Sequence, residues 1–186
     1  MVYSLSELTK EYEKGKKYKF LFFWGHNPPK DGSINQSCLS QWWLCNFKIN
    51  GVQYSCAEQY MMAEKARIFK DEEMLENIMN SDSPAKMKAF GREVKNFDKD
   101  VWSEHCYEIV KKASKEKFSQ NAELLHFLFG TKDSILVEAS PRDRIWGIGM
   151  GQNNPDAENP TKWRGQNLLG FALTEAREGL LKSIKL

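Results

Sequence analysis

The amino-acid sequence predicts a mainly helical α+β fold carrying a small β-hairpin or sheet element, and three observations lead to it. Between Ala57 and Phe129, stretches with helical signals follow one another with little interruption. Around Asn50-Gly51, two strand-like runs meet at the commonest sequence for a tight type I′ turn. The chain is 186 residues long, which suits one compact domain able to bury most of the surface its unfolded form exposes. A single domain over residues 1–186 is therefore expected, with residues 1–17 forming an appended helix.

In chain order, residues 4–14 read as a short amphipathic helix and Tyr18 to Trp24 as a β-prone apolar run. Pro28-Pro29 and Asp31-Gly32 impose a loop. Trp42 to Ile49 and Val52 to Ser55 form the hairpin. Helices follow over Ala57 to Phe69, Asp71 to Met79, Pro84 to Phe90, Asp100 to Phe118 and Ala122 to Phe129. Ser83-Pro84 supplies an N-cap and a first-turn proline, while Gly91 and Gly130 offer left-handed closures. Ile135 to Ala139 returns to strand character. A loop dense in Gly, Asn and Pro runs from Pro141 to Gly165, and a last amphipathic helix covers Asn167 to Lys182. Long loops inside compact domains tend to be functional, so this one is a first place to look.

Composition narrows the function classes. With 27 basic and 25 acidic residues the net charge is +2, so a broad basic face for duplex nucleic acid is not indicated. Six tryptophans in a chain that is 12% aromatic serve equally as core filler or as shelves for flat rings. Cys38, Cys45, Cys56 and Cys106 have neither zinc-ligand nor C-x-x-C spacing, and reduced thiols in a cytoplasmic chain are the simplest reading. The N-terminus lacks an apolar signal core, and no apolar run is long enough to span a membrane. His26, His105 and His126 fit no H-E-x-x-H pattern, so neither a metal site nor a cofactor is expected.

Two constellations carry chemistry. Glu58 and Lys65 are seven residues apart on one predicted helix, which places a carboxylate and an amine on the same face. They can hold a sugar between them, but Ser55-x-x-Glu58 also fits a capping box, with Lys65 simply solvated. The second runs from Glu138 through Arg142-Asp143-Arg144 to Trp146-Gly147, where an ionised Asp143 stands between two guanidinium groups suited to phosphate. A surface salt bridge with turn glycines is its plain alternative. Gly147-x-Gly149-x-Gly151 matches neither the dinucleotide fingerprint nor the phosphate loop. Trp102 is on a helix face with Cys106 and Ile109, where a core role is expected, and the same caution covers Trp42, Trp43 and Phe47.

Taken in order, Cys45-Asn46-Phe47, Ala57-Glu58-Gln59-Tyr60 with Lys65, Gly91-Arg92, Trp102, Asp143 with Trp146-Gly147, and Gly165-Gln166-Asn167-Leu168-Leu169-Gly170 resemble the YbiA-like, or NADAR, family from about Phe22 to Leu181. The resemblance implies a mainly helical domain that hydrolyses ribosyl N-glycosides. The substrates it implies are the early ribosylaminopyrimidine phosphates of riboflavin synthesis and, for some members, ADP-ribose on guanine in DNA, for which a short single-stranded segment needs only a groove and an aromatic shelf. For that chemistry the expected catalytic residues are Glu58, Lys65 and Asp143, and the expected binding residues are Asn46, Phe47, Arg92, Trp102, Arg142, Arg144, Trp146, Gly147 and Asn167. The family's frequent Ser-Asn-Phe appears as Cys45-Asn46-Phe47, its Ser/Thr-Glu-His as Ala57-Glu58-Gln59, and its Trp-Gly-Asp-Gly as Trp146-Gly147-Ile148-Gly149, which loses an acid at Ile148. The rival reading from another class is a module that binds ADP-ribose or NAD without cleaving it. Release of sugar from a ribosylamine, lost in Glu58→Ala, separates the two.

Overall fold

The structure, a computed structural model, describes residues 3–184, so the extreme ends of the expected 1–186 span lie outside it. The mainly helical α+β architecture is as the sequence predicts. Its elements are α1 (Leu5–Glu13), β1 (Phe20–Phe23), β2 (Phe47–Ile49), β3 (Val52–Tyr54), α2 (Ala57–Ile68), α3 (Glu72–Met79), α4 (Pro84–Arg92), α5 (Lys99–Ser119), α6 (Ala122–Gly130), β4 (Ile135–Glu138) and α7 (Leu168–Ile184). Short 3-10 turns cover Gln36–Leu39 and Pro160–Lys162.

The hairpin forms where Asn50-Gly51 requires it. Ile49 pairs with Val52, and the two turn residues have φ of 51° and 81°, the pair of left-handed conformations a type I′ turn needs. Its first strand starts at Phe47 rather than Trp42, because the chain turns at Trp43, whose N–H donates to Ser40 O. The glycine closures also differ from expectation. Gly91 lies inside α4, where a Cβ would come within 2.0 Å of Met62 Sδ, so it serves close helix packing. Gly130 likewise lies within α6, and the left-handed residue beyond it is Lys132.

Two features position the site. First, β1 and β4 pair in parallel, Phe20 with Ile135 through Phe23 with Glu138, so both strands end at the same edge. The residues that follow them, Trp24 to His26 and Ala139 to Asp143, emerge side by side. Ligands collect at such carboxyl ends in sheets of this kind. Second, α2 is the central helix, packed against α3, α4 and α5, with nearly every residue of its first two turns buried. The main core gathers its apolar side chains with those of α5, α6 and α7. A second cluster on the other side of β4 joins Leu8 of α1 to Val137, Ile148, Met150 and Trp163 of the long loop.

Candidate active site

Glu58 is 4% exposed in the first turn of α2, and its carboxylate is not spent on capping. The residue that reaches back to Ser55 is Gln59, whose Oε1 accepts the Ser55 N–H at 2.8 Å while its Nε2 donates to Ile78 O at 3.1 Å. The capping-box alternative therefore falls to the neighbouring residue. The Glu58 N–H donates to Gln41 O at 3.0 Å, and its side chain lines a cavity of about 790 Å³. Burial raises the Glu58 pKa and the charge of Asp143 adds to this; Lys88, the Trp42 side chain and Arg92 oppose the shift.

Asp143 lines the same cavity from the loop after β4. Its Oδ1 accepts the N–H groups of Ile145 and Trp146, both at 2.8 Å, which folds the loop tightly behind it. Lys65 lies two turns along α2 on the cavity wall. Its Nζ donates to Gly91 O at 2.6 Å and sits 4.1 Å from the centre of the Phe97 ring. Burial lowers its pKa, and Arg92 lowers it further. Glu58, Lys65 and Asp143 thus meet in one cavity, together with Arg92, Arg142, Arg144 and Trp146.

Five expected binding residues stand outside that lining, each for a visible reason. Phe47 is 2% exposed in the core, against Tyr54 across the hairpin. Asn46 is exposed before β2, its carbonyl accepting from Asn121 Nδ2. Trp102 packs behind Lys65, its ring 5.9 Å from Nζ. Gly147 backs the strand edge, where a Cβ would lie 2.8 Å from Glu138 O. Asn167 is wholly buried and acts as an extra rung on β4: Oδ1 accepts Glu138 N–H and Nδ2 donates to Leu136 O, both at 3.0 Å. Ile148 is also fully buried, in the second core cluster, so its position does not face the cavity.

Sequence reasoning gave no role at the site to four lining residues, although it opened a constellation at Glu138 and expected Trp42 in the core. Glu138 ends β4, and a charged residue closing the apolar run Ile135-Leu136-Val137 at a strand's carboxyl end was the available signal. Lys88 precedes Arg92 by four residues on α4, hence shares its face. Trp42 lines the cavity rather than the core, with His26 5.2 Å away ring to ring, and Trp24 forms a lip that is 65% exposed. Among the described residues, no group of three His, Cys, Asp or Glu side chains is arranged to hold a metal ion, and no helix is long and apolar enough to cross a membrane.

The buried Glu58, the half-buried carboxylates of Asp143 and Glu138, cations and aromatic shelves in one cavity suit a ligand that carries phosphate and a flat ring. The chain is 41% identical to N-glycosidase R617 of Acanthamoeba polyphaga mimivirus over 86% of its own length and 95% of that protein's. It is 32% identical to N-glycosidase YbiA of Escherichia coli over 72% of its length and 74% of that chain. The NMR structure of E. coli YbiA superimposes with a TM-score of 0.71 at 27% identity, covering 90% of this chain and 88% of the other. A riboflavin biosynthesis protein of Vibrio vulnificus is 29% identical over 78% of the chain, which spans 36% of that longer protein. The NADAR domain family model matches residues 22–181, and with these relatives and this fold the chain belongs to the NADAR family.

Proposed function

We propose that this protein is an N-glycosidase that hydrolyses the bond between ribose C1 and an exocyclic amine of an aromatic base. The observation that carries the reading is the buried Glu58 carboxylate, free of any capping duty, in a cavity it shares with Asp143 and Lys65. Such a bond breaks through an oxocarbenium-like state at C1, which a nearby carboxylate stabilises far better in a dry cavity than in water. Glu58 and Asp143 take that role, one of them also receiving a proton from the attacking water. Arg92, Arg142 and Arg144 suit phosphate oxygens, and Trp146 suits the flat leaving ring. Lys65 is either a donor to a ribose oxygen or, with its pKa lowered by burial, an amine able to attack C1.

The substrates this chemistry fits are ribosylaminopyrimidine phosphates and ADP-ribosylated guanine, the latter free or in a single strand. Retention of a buried carboxylate beside a depressed lysine supports cleavage over simple binding of ADP-ribose. The test incubates the protein with each substrate and follows released base and sugar by mass spectrometry. Wild type should turn over at least one of them, and Glu58→Gln should lower kcat by roughly 10³-fold or more, in line with loss of a charge acting on the transition state. Binding of ADP-ribose with no release from either substrate would leave the non-catalytic module as the better account.

A further inference from the structure

Glu138 holds a carboxyl group to which the roles above give no work. Its main chain is clamped: the N–H donates to Asn167 Oδ1 at 3.0 Å and the carbonyl accepts Ile148 N–H at 2.9 Å. The side chain lines the cavity. Although the residue as a whole is only partly buried, its Oε2 is sealed from solvent and has no hydrogen-bond partner among the described residues. An ionised carboxylate in that state is strongly disfavoured, whereas a neutral acid tolerates it and keeps an O–H to give.

The groups that face Glu138 come from three further elements. Asp143 of the loop and Glu58 of α2 are like charges, and Lys88 of α4 is the one opposing cation that acts on it. Burial first, then Asp143, push its pKa up to about 8, with Glu58 adding and Lys88 opposing. Burial and the charge of Asp143 raise the Glu58 pKa too, but Lys88, the Trp42 side chain and Arg92 all favour its charged form. Both carboxyls are raised, and what separates them is their neighbours: three groups favour the Glu58 anion, whereas Glu138 has Lys88 alone and an oxygen left unpartnered, a difference from which acid and base roles are read.

We propose that Glu138 is the proton donor of this site, entering the reaction as the neutral acid and delivering its proton to the amine nitrogen that leaves ribose C1. The proposal rests on the N-glycosidase reading. An amide-like anion on an aromatic ring is a poor leaving group, so the departing nitrogen needs a proton as the bond opens. The C1–N pair goes to nitrogen, which takes the Glu138 proton and leaves as a neutral amine. Water bonds C1 and loses a proton to Glu58; Glu58 returns it to solvent and Glu138 takes one up. Sugar, amine and both side chains are then restored with one water consumed. If the Lys65 amine reaches C1 before water, the leaving nitrogen still needs the same donor.

The test compares wild type, Glu138→Gln and Glu138→Asp on the substrate that wild type cleaves. Glu138→Gln should lower kcat by about 10²–10⁴-fold with little change in KM, the range for a lost general acid. Wild-type kcat/KM should fall above pH about 8, the Asp variant should keep an alkaline fall at a reduced rate, and the Gln variant should lack it. Glu138→Gln within a few fold of wild type, or an unchanged alkaline fall in it, overturns the proposal. A readout independent of turnover is the carboxyl-carbon NMR titration of Glu138 in the free protein, assigned from the resonance missing in the variant. A midpoint near 8 supports a proton-bearing acid, and one near 4.5 overturns it. Should wild type cleave neither substrate class, it is the N-glycosidase reading that fails, while the titration still decides whether Glu138 carries a proton.

Discussion

Lys117 and Glu138 are both ionisable groups withdrawn from water, one in the scaffold and one at the cavity, and their surroundings are opposite. Lys117, on the inner face of α5, is 2% exposed and its Nζ donates to Cys38 O at 2.7 Å and Ser40 O at 2.8 Å. It thereby ties to α5 the segment that carries Gln41 and Trp42 into the cavity. Glu138 has a sealed oxygen with no partner, and so does Gln41 on the same wall, through its Oε1. Away from the cavity, Arg177 Nε is also unpaired, but its Nη1 donates to Thr131 and Ser134. Unpaired buried polar atoms are costly, so their concentration at a cavity wall marks a place shaped by chemistry rather than by folding.

Lys65 stands between these two kinds of surroundings, and one substitution decides which it belongs to. Its Nζ is matched to Gly91 O as a scaffold lysine would be, yet it lines the cavity with a lowered pKa. Arg can keep the charge and the donor, but guanidinium stays protonated and does not attack carbon. Lys65→Arg should bind substrate with near wild-type KM and lose turnover by roughly 10³-fold, and borohydride should trap a sugar adduct on wild type alone. Turnover within a few fold, with nothing trapped during consumption of substrate, would assign Lys65 to the donor role.

Lys117→Met tests the other side of the comparison. Removing the ammonium leaves the buried Cys38 O without its donor, while Ser40 O keeps only the longer bond from Trp43 N–H. At roughly 1–3 kcal/mol for an unsatisfied group, the variant should be destabilised by about 2 kcal/mol in urea unfolding. A loss under about 1 kcal/mol would mean that this buried charge contributes little.

The helices were legible because their signals are local: the cap at Ser83, a 3.6-residue period, the Asn50-Gly51 turn. The site was legible only in part. Glu58, Lys65 and Asp143 carry their chemistry in the residue type, and all three reach the cavity. Glu138 and Trp24 reach it because β1 pairs in parallel with β4 across more than a hundred intervening residues, a juxtaposition no window of sequence contains. Phe47, Gly147 and Asn167 misled for the converse reason. A buried aromatic, a glycine against a carbonyl and an asparagine bonded to a strand build the wall from behind, and a motif does not distinguish that from touching the ligand.

Glu138 can also be set against its own amide, and here the difference is thermodynamic. In the folded protein Glu138 keeps its proton up to about pH 8, whereas the unfolded chain releases it near 4.5. Between those values the folded state binds the extra proton, so the stability this group contributes is fully present below about pH 4.5 and declines as pH rises toward 8. Glu138→Gln has no such ionisation. Any constant cost of seating an unpartnered amide cancels when the variant is compared with wild type at two pH values. The stability of Glu138→Gln relative to wild type should therefore climb with pH across that window and level off above it. An isolated group would give a slope of about 1.4 kcal/mol for each pH unit of the window, but Glu58 shares the proton traffic, so the whole climb should be on the order of 3 kcal/mol. A variant that loses turnover while gaining stability with rising pH is the mark of an acid held against its own ionisation for the sake of the reaction. A difference that stays flat from pH 4.5 to 8 would mean that Glu138 ionises as an ordinary surface glutamate does, and the contrast with Lys117 would then be one of packing alone.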